Sequence, residues 1–145
     1  MKAETRLRIE DLLHSANLRR TGPRAAILNV LLRAGRPLTQ GQIASNLGTT
    51  IPNKVTIYRT LESFCKAGLV HKAFMHKRAW HFELADRCTE SQCHPHFTCK
   101  RCGVIRCLVG LSVSIVDGLK KGFVIHRQQV RLEGLCPRCR GKKNT

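Results

Sequence analysis

The sequence predicts an α+β chain in two parts, a helical domain closed by a hairpin and a smaller α/β domain stapled by cysteines. Three observations lead there. Apolar residues recur at helical spacing in successive segments before Gly68, and from Leu69 onward the period shortens to that of strands. Two CxxC pairs, Cys99/Cys102 and Cys136/Cys139, then flank most of the remaining chain. Four thiols at that spacing suit one tetrahedral Zn²⁺ at roughly 2.3 Å per bond. Such a site has no open position for water, so it stabilises a fold rather than doing chemistry.

Leu7, Ile9, Leu12, Leu13 and Ala16 mark the buried side of a first helix that ends near Asn17. Thr21, two residues ahead of Pro23, caps a second helix whose Ile27, Val30, Leu31 and Ala34 turn inward before Gly35. Arg19, Arg20 and Arg24 crowd its start, where cations oppose the helix dipole; the placement makes sense if phosphates approach there. Thr39 and Gln42 stand at capping-box spacing and open a third helix, buried through Ile43, Ala44 and Leu47 and stopped by Gly48. After the turn TTIPN, Asn53 caps a fourth helix with Ile57, Leu61, Phe64 and Cys65 on one face, and Gly68 ends it. Its other face carries Lys54, Val55, Tyr58, Arg59 and Lys66, with Thr56 in the first turn. That is a helix-turn-helix pattern offering a basic face to a DNA groove. LVHKAF and AWHFEL, joined by MHKR, read as a hairpin or wing.

A winged helix-turn-helix DNA-binding domain is therefore expected over residues 1–84. Residues 85–96 have the composition of a hinge but carry Cys88, Cys93 and His94, more soft ligands than an idle linker needs, and a second metal is expected there. Residues 97–145 supply the α/β domain. FTCKRCGVIRCL gives a strand, the first CxxC knuckle and a second strand. A helix follows with Leu111, Ile115, Val116 and Leu119 buried and Gly122 at its end, then strands at 123–126 and 130–135, the CPRC, and a frayed end. The Cys₄ site would pin the two ends of this domain together. Cys65 and Cys107 read as packing residues, and His14, His76 and His81 as surface or wing residues.

Lysine and arginine number 26 against 9 acidic residues, a formal net charge of +17 on 145 residues, which points to a polyanionic partner and to nucleic acid first. No apolar run is long enough to span a membrane. The N-terminus lacks the apolar stretch of a secretory signal, so a cytoplasmic protein is expected, where reduced CxxC thiols bind metal rather than pair.

The run RRTGPR, the segment VTIYRTLESFCKAGLV, the stretch HPHFTCKRCG and the terminal CPRC together resemble the ferric uptake regulator family of metal-responsive repressors, over nearly the whole chain. The resemblance implies that the α/β domain dimerises and that the homodimer binds a palindromic operator in double-stranded DNA when metal is present. It also implies DNA contacts from Tyr58, Arg59 and Arg19, beside the Arg24, Lys54 and Thr56 singled out above. A tyrosine ring can meet a thymine methyl while arginines take phosphate or minor groove.

The hinge site is similar to that of the zinc uptake regulators, with His71, Cys88, His94 and His96 as regulatory ligands. This nitrogen and sulfur set favours Zn²⁺ over Fe²⁺ or Mn²⁺. The glutamate typical of iron and manganese sites is present as Glu83, so a set of Glu83, His94 and His96, serving Fe²⁺, Mn²⁺ or a peroxide response, stays open, and Cys93 competes. The resemblance implies two Zn²⁺ per chain, one structural and one regulatory. Where relatives carry a further dimer-domain site, this chain has Ser114 and Gln128, with His126 out of phase, and that site is expected to be absent or altered.

Other function classes fit less well. His81 and Glu83 form an H-x-E and CxxC pairs follow, as in zinc deaminases, but the proline stands after Cys136 rather than before it and the H-x-E lies in a strand. No catalytic residue and no small-molecule substrate are expected. A plain zinc ribbon would leave Cys88 and the two histidines of HPH unused.

Overall fold

The computed structural model describes residues 2–50, 53–86, 88, 92–117, 119 and 121–141, and it divides into two compact units, 1–86 and 87–145. The first holds helices α1 (Ala3–Ser15), α2 (Gly22–Ala34), α3 (Gln40–Leu47) and α4 (Lys54–Lys66), and strands β1 (Leu38–Thr39), β2 (Val70–His76) and β3 (Ala79–Leu84). The signals that start and stop the helices act locally. Thr21 Oγ1 accepts the Arg24 N–H at the start of α2, and Gly35, at φ +56°, closes it in a left-handed conformation that a side chain would strain. At α3 the capping box is complete, with Thr39 Oγ1 accepting from Gln42 N at 3.1 Å and Gln42 Oε1 accepting from Thr39 N at 3.0 Å. Asn53 Oδ1 caps α4 through the Thr56 N–H at 2.8 Å.

These helices bury one continuous core. Ile9 and Leu13 of α1, Ile27, Leu28 and Leu31 of α2, Ile43 of α3, and Ile57, Leu61 and Phe64 of α4 meet Val70 and Phe82 of the sheet. Leu7 of the expected α1 face is instead 61% exposed, while Ile9 in the same turn and Leu13 are buried. The sheet has the order β1-β3-β2, all antiparallel. β1 goes beyond the expected two-stranded hairpin: Leu38 and Thr39 pair with Phe82 and His81. The wing strands also run closer to the tip than expected, leaving Lys77 and Arg78 as a two-residue turn with φ +49° and +61°.

In the second unit, β4 (His96–Cys99) lies between β5 (Ile105–Cys107), antiparallel, and β6 (Arg131–Gly134), parallel, and a short helix α5 (Pro137–Arg140) carries the last CxxC. Two expectations fail. The described residues of 108–122 form no helix, and Leu111, Ile115, Val116 and Leu119 are exposed rather than buried. The segment 123–126 forms no strand, with Phe123 69% and Val124 75% exposed. The physical reason is shared: an amphipathic segment this short is marginal alone and needs an apolar surface to dock on, and the unit's own interior offers little beyond Ile105 and cysteines. Residues 1, 51, 52, 87, 89–91, 118, 120 and 142–145, which include part of the TTIPN turn, part of the hinge and most of the expected frayed end, lie outside the described residues.

Candidate metal centres and nucleic-acid interface

The four cysteines of the CxxC pairs converge. The sulfurs of Cys99, Cys102, Cys136 and Cys139 all lie within 4.8 Å of one another, three of them on buried residues and Cys102 exposed. The local backbone builds the cradle. After β4 the chain turns through Lys100–Gly103, with Gly103 at φ +71° and its N–H on the Cys99 carbonyl at 2.9 Å. Lys100 N donates to Gly134 O of β6 at 2.8 Å, which brings the CPRC beside the knuckle, and Cys136 N donates to Cys99 Sγ at 3.4 Å.

The electrostatics fit a cation. Backbone N–H groups of Cys102 and Cys136 pull the Cys99 thiol down to about 6. Burial, then the neighbouring sulfurs, pushes Cys139 up to about 12. Against burial, the Cys139 N–H and the neighbouring thiols also hold Cys136 down, so the cost of a further thiolate falls on Cys139 until a cation joins the group. The donor set could hold a structural metal of the zinc type.

The other predicted ligands fall into pairs. In the first unit His71 and Glu83 are cross-strand partners on β2 and β3, and His71 Nε2–H donates to Glu83 Oε1 at 2.9 Å. The bond explains a carboxylate that is only 6% exposed, and it makes two candidates that the sequence treats as alternatives immediate neighbours. In the second unit the sulfurs of Cys88 and Cys93 are paired, the rings of His94 and His96 lie 4.7 Å apart, and Cys93 Sγ approaches His94 Nδ1 at 3.5 Å. Cys107, read from sequence as packing, belongs with these groups: its sulfur and the donor nitrogens of His94 and His96 lie within 4.8 Å of one another. Gln128 Nε2 donates to Ser114 O at 3.0 Å, which joins the two positions noted as lacking ligands, and Gln128 Oε1 accepts from Val116 N at 2.7 Å. His81 lies on the wing strand β3, as one of its two readings has it, but it is buried rather than at the surface, its Nδ1–H on the Ala79 carbonyl at 3.2 Å and its ring stacked on Phe74 at 4.8 Å.

The basic face of the first unit is in place on α4. Lys54, Val55, Tyr58, Arg59 and Lys66 are exposed, opposite the buried Ile57, Leu61 and Phe64. Gln40 Nε2 donates to Lys54 O at 2.9 Å and so fixes the start of α4 against α3. Tyr58 Oη donates to Glu62 Oε1 at 2.8 Å, a bond that raises the phenol's pKa. Arg19 is exposed, whereas Arg24 is half-buried, donating to Arg19 O at 2.7 Å and to Ser63 Oγ at 3.3 Å, and so braces the start of α2 against α4. Thr56 Oγ1 bonds Asn53 Oδ1 at 3.0 Å. The wing tip holds Lys77 and Arg78 in left-handed conformations that cost non-glycine residues about 1–2 kcal/mol each.

Comparison with known proteins follows the same lines. Residues 15–127 match the profile of the ferric uptake regulator family. The transcriptional regulator FurA of Mycobacterium tuberculosis is 30% identical over 134 residues, covering 89% of this chain and 88% of its own. Among solved structures, a zinc uptake regulator complexed with zinc and DNA superposes with a TM-score of 0.65 at 21% identity, covering 96% of this chain and 97% of its own. The Helicobacter pylori ferric uptake regulator, described as having three functional metal-binding sites, gives 0.62 at 16% identity over 97% and 95%. At these identities the structures attest a shared fold.

Proposed function

Because the chain belongs to the ferric uptake regulator family, and is thus a metal-responsive transcriptional regulator rather than an enzyme, we propose that it is a zinc-responsive repressor that binds a palindromic operator as a homodimer in the cytoplasm. The observation that carries the zinc reading is the donor chemistry of the second unit, where His94, His96 and Cys107 bring imidazole nitrogen and a thiol together beside the paired sulfurs of Cys88 and Cys93. Thiolate and imidazole ligands suit Zn²⁺, whereas Mn²⁺ and Fe²⁺ sites lean on oxygen. A specific observation favours the second reading, an iron, manganese or peroxide response: Glu83 is a buried carboxylate hydrogen-bonded to His71. The proposed regulatory donors are His71, Cys88, His94 and His96, with Glu83 as the alternative, beside a structural zinc on Cys99, Cys102, Cys136 and Cys139. When bound, zinc supplies cross-links between side chains and no reaction.

Residues 1–84 act as the DNA-binding domain, 85–96 as the hinge and 97–145 as the dimerisation domain. Arg19, Arg24, Lys54, Thr56, Tyr58 and Arg59 form the DNA-contacting set. The exposed apolar side chains of Leu111, Ile115, Val116 and Phe123 support a homodimer, since a second copy could cover them. Among the described residues no helix is long and apolar enough to cross a membrane.

Fluorescence anisotropy on a selected palindrome tests the reading. Adding Zn²⁺ to protein that already carries its tightly held zinc should tighten operator binding about tenfold or more, a coupling of at least ~1.4 kcal/mol that DNA must return to the metal. If Mn²⁺ or Fe²⁺ tightens binding and Zn²⁺ does not, the zinc assignment gives way to the oxygen-richer one.

A further inference from the structure

Resting on the regulator reading above, we propose that Glu62 is a positioning residue of the DNA-contacting face: its carboxylate accepts the Tyr58 hydroxyl, commits the tyrosine ring to base contact, and so favours the operator over other DNA. The residue stands out by charge. α4 carries Lys54, Arg59 and Lys66 and one acidic residue, Glu62. Glu62 follows Tyr58 by four residues and Arg59 by three, and it precedes Lys66 by four, so it sits amid the exposed stripe rather than at its rim. A carboxylate there opposes every phosphate that approaches, whatever the DNA sequence. Helix stability does not account for it. Acidic side chains help a helix in its first turn, whereas Glu62 lies beyond the middle of α4. Although Arg59 and Lys66 are within about one turn, the bond that the carboxylate accepts comes from Tyr58 Oη, at 2.8 Å.

That bond decides what Tyr58 offers to DNA. A phenol has a single proton to donate, and here it goes to Glu62, so none is left for a phosphate oxygen. The ring remains, 48% exposed, and an aromatic ring packs against a thymine methyl or another base edge. Held at the helix by its Cα and at Glu62 by its hydroxyl, the side chain has less freedom to lose when DNA arrives. Glu62 is supported in turn. It is half-buried and lines one groove with Leu18, Arg59, Ser63, Lys66 and Ala67, and Arg24 donates to the neighbouring Ser63 Oγ at 3.3 Å. Phosphate contacts are alike in every sequence and base contacts are not. A residue that orders the base contact therefore raises the preference for the operator, even where its charge lowers affinity for all DNA.

Fluorescence anisotropy on the full-length protein, supplied with Zn²⁺, compares a selected palindrome with a random duplex of the same length at several salt concentrations. Glu62→Ala removes both the bond and the charge. It should bind the random duplex more tightly and lower the palindrome-to-random affinity ratio about threefold or more. Glu62→Gln removes the charge but keeps an oxygen for the phenol. It should also bind the random duplex more tightly, by a factor that shrinks as salt rises, yet keep the wild-type ratio. Tyr58→Phe should lower the ratio as Glu62→Ala does, and the double variant should lower it no further. Unchanged zinc content and helical circular dichroism show that the variants are folded. A wild-type ratio in Glu62→Ala, equal losses in Glu62→Ala and Glu62→Gln, or losses that add in the double variant would each overturn the positioning role while the regulator reading stands. If wild type with Zn²⁺, Mn²⁺ or Fe²⁺ prefers no palindrome over random DNA, both fall.

Discussion

The two units of this chain are held by different means. In the first, side chains such as Leu28, Ile43 and Phe64 are buried by other parts of the same unit, and every helix found there has an apolar face that meets a neighbour. In the second, the inner cluster is Cys99, Cys136 and Cys139, flanked by Phe97 and Val104, and Ile105 is buried, while Leu111, Ile115, Val116 and Leu119 lie outside. A unit of that size cannot be closed by so few buried apolar groups, and small domains in this position use a metal or a partner. The difference teaches that one half of the protein closes on its own apolar side chains, whereas the other gathers cysteines inside and leaves aliphatic side chains exposed.

Removing a metal ligand should therefore split the molecule's behaviour most sharply. Zinc bound to a four-ligand structural site contributes apparent free energies of about 10–16 kcal/mol to small domains. Cys136→Ser in the full-length chain should lower the tightly bound zinc by one equivalent and open residues 87–145 to proteolysis, with the first unit surviving as a protected fragment. A second unit that stays protected without its zinc would show that the comparison is mistaken and that packing alone closes it.

The converse substitution attacks the self-sufficient half. Phe64 is fully buried on α4, and Phe→Ala changes in cores cost about 3–5 kcal/mol. In a urea titration followed by circular dichroism, Phe64→Ala should weaken the helical transition by that amount and leave zinc content at the wild-type value. Loss of zinc along with the helices would mean that the units fold as one.

Legibility from sequence follows the same division. Thr21, Thr39 with Gln42, Asn53 and Gly35 act within one turn of their own helix, so their roles could be read without knowing what surrounds them. β1 could not be read because two residues, Leu38 and Thr39, are too short to show alternation; its partner strand defines it. Leu111 to Leu119 carry a helical pattern whose burial depends on a surface that this chain alone does not supply. The neighbours of Cys107 are hidden from the sequence for a related reason. A lone cysteine in a strand looks like packing, and only the β4–β5 register, which sets it against His96, reveals its neighbours. The available signal was its period-two spacing from Ile105, which places both on one face of β5.

The smallest effect should come from Thr39, where the two levels of signal meet in one residue. Its backbone pairs with His81 in the sheet, its hydroxyl accepts from Gln42 N at 3.1 Å, and its own N–H donates to Gln42 Oε1 at 3.0 Å. Thr39→Ala keeps the backbone pairing and the bond to Gln42 Oε1, so only the hydroxyl's bond is lost, worth about 1 kcal/mol at an N-cap. The expected outcome is a shift of that size in the first unit's urea midpoint, no change in zinc, and recovery of most of the loss in Thr39→Ser, which restores the hydroxyl without the methyl. Equal losses in Thr39→Ala and Thr39→Ser would assign the stabilisation to the methyl group's packing in β1. In that case the sheet, not the capping box, fixes where α3 begins.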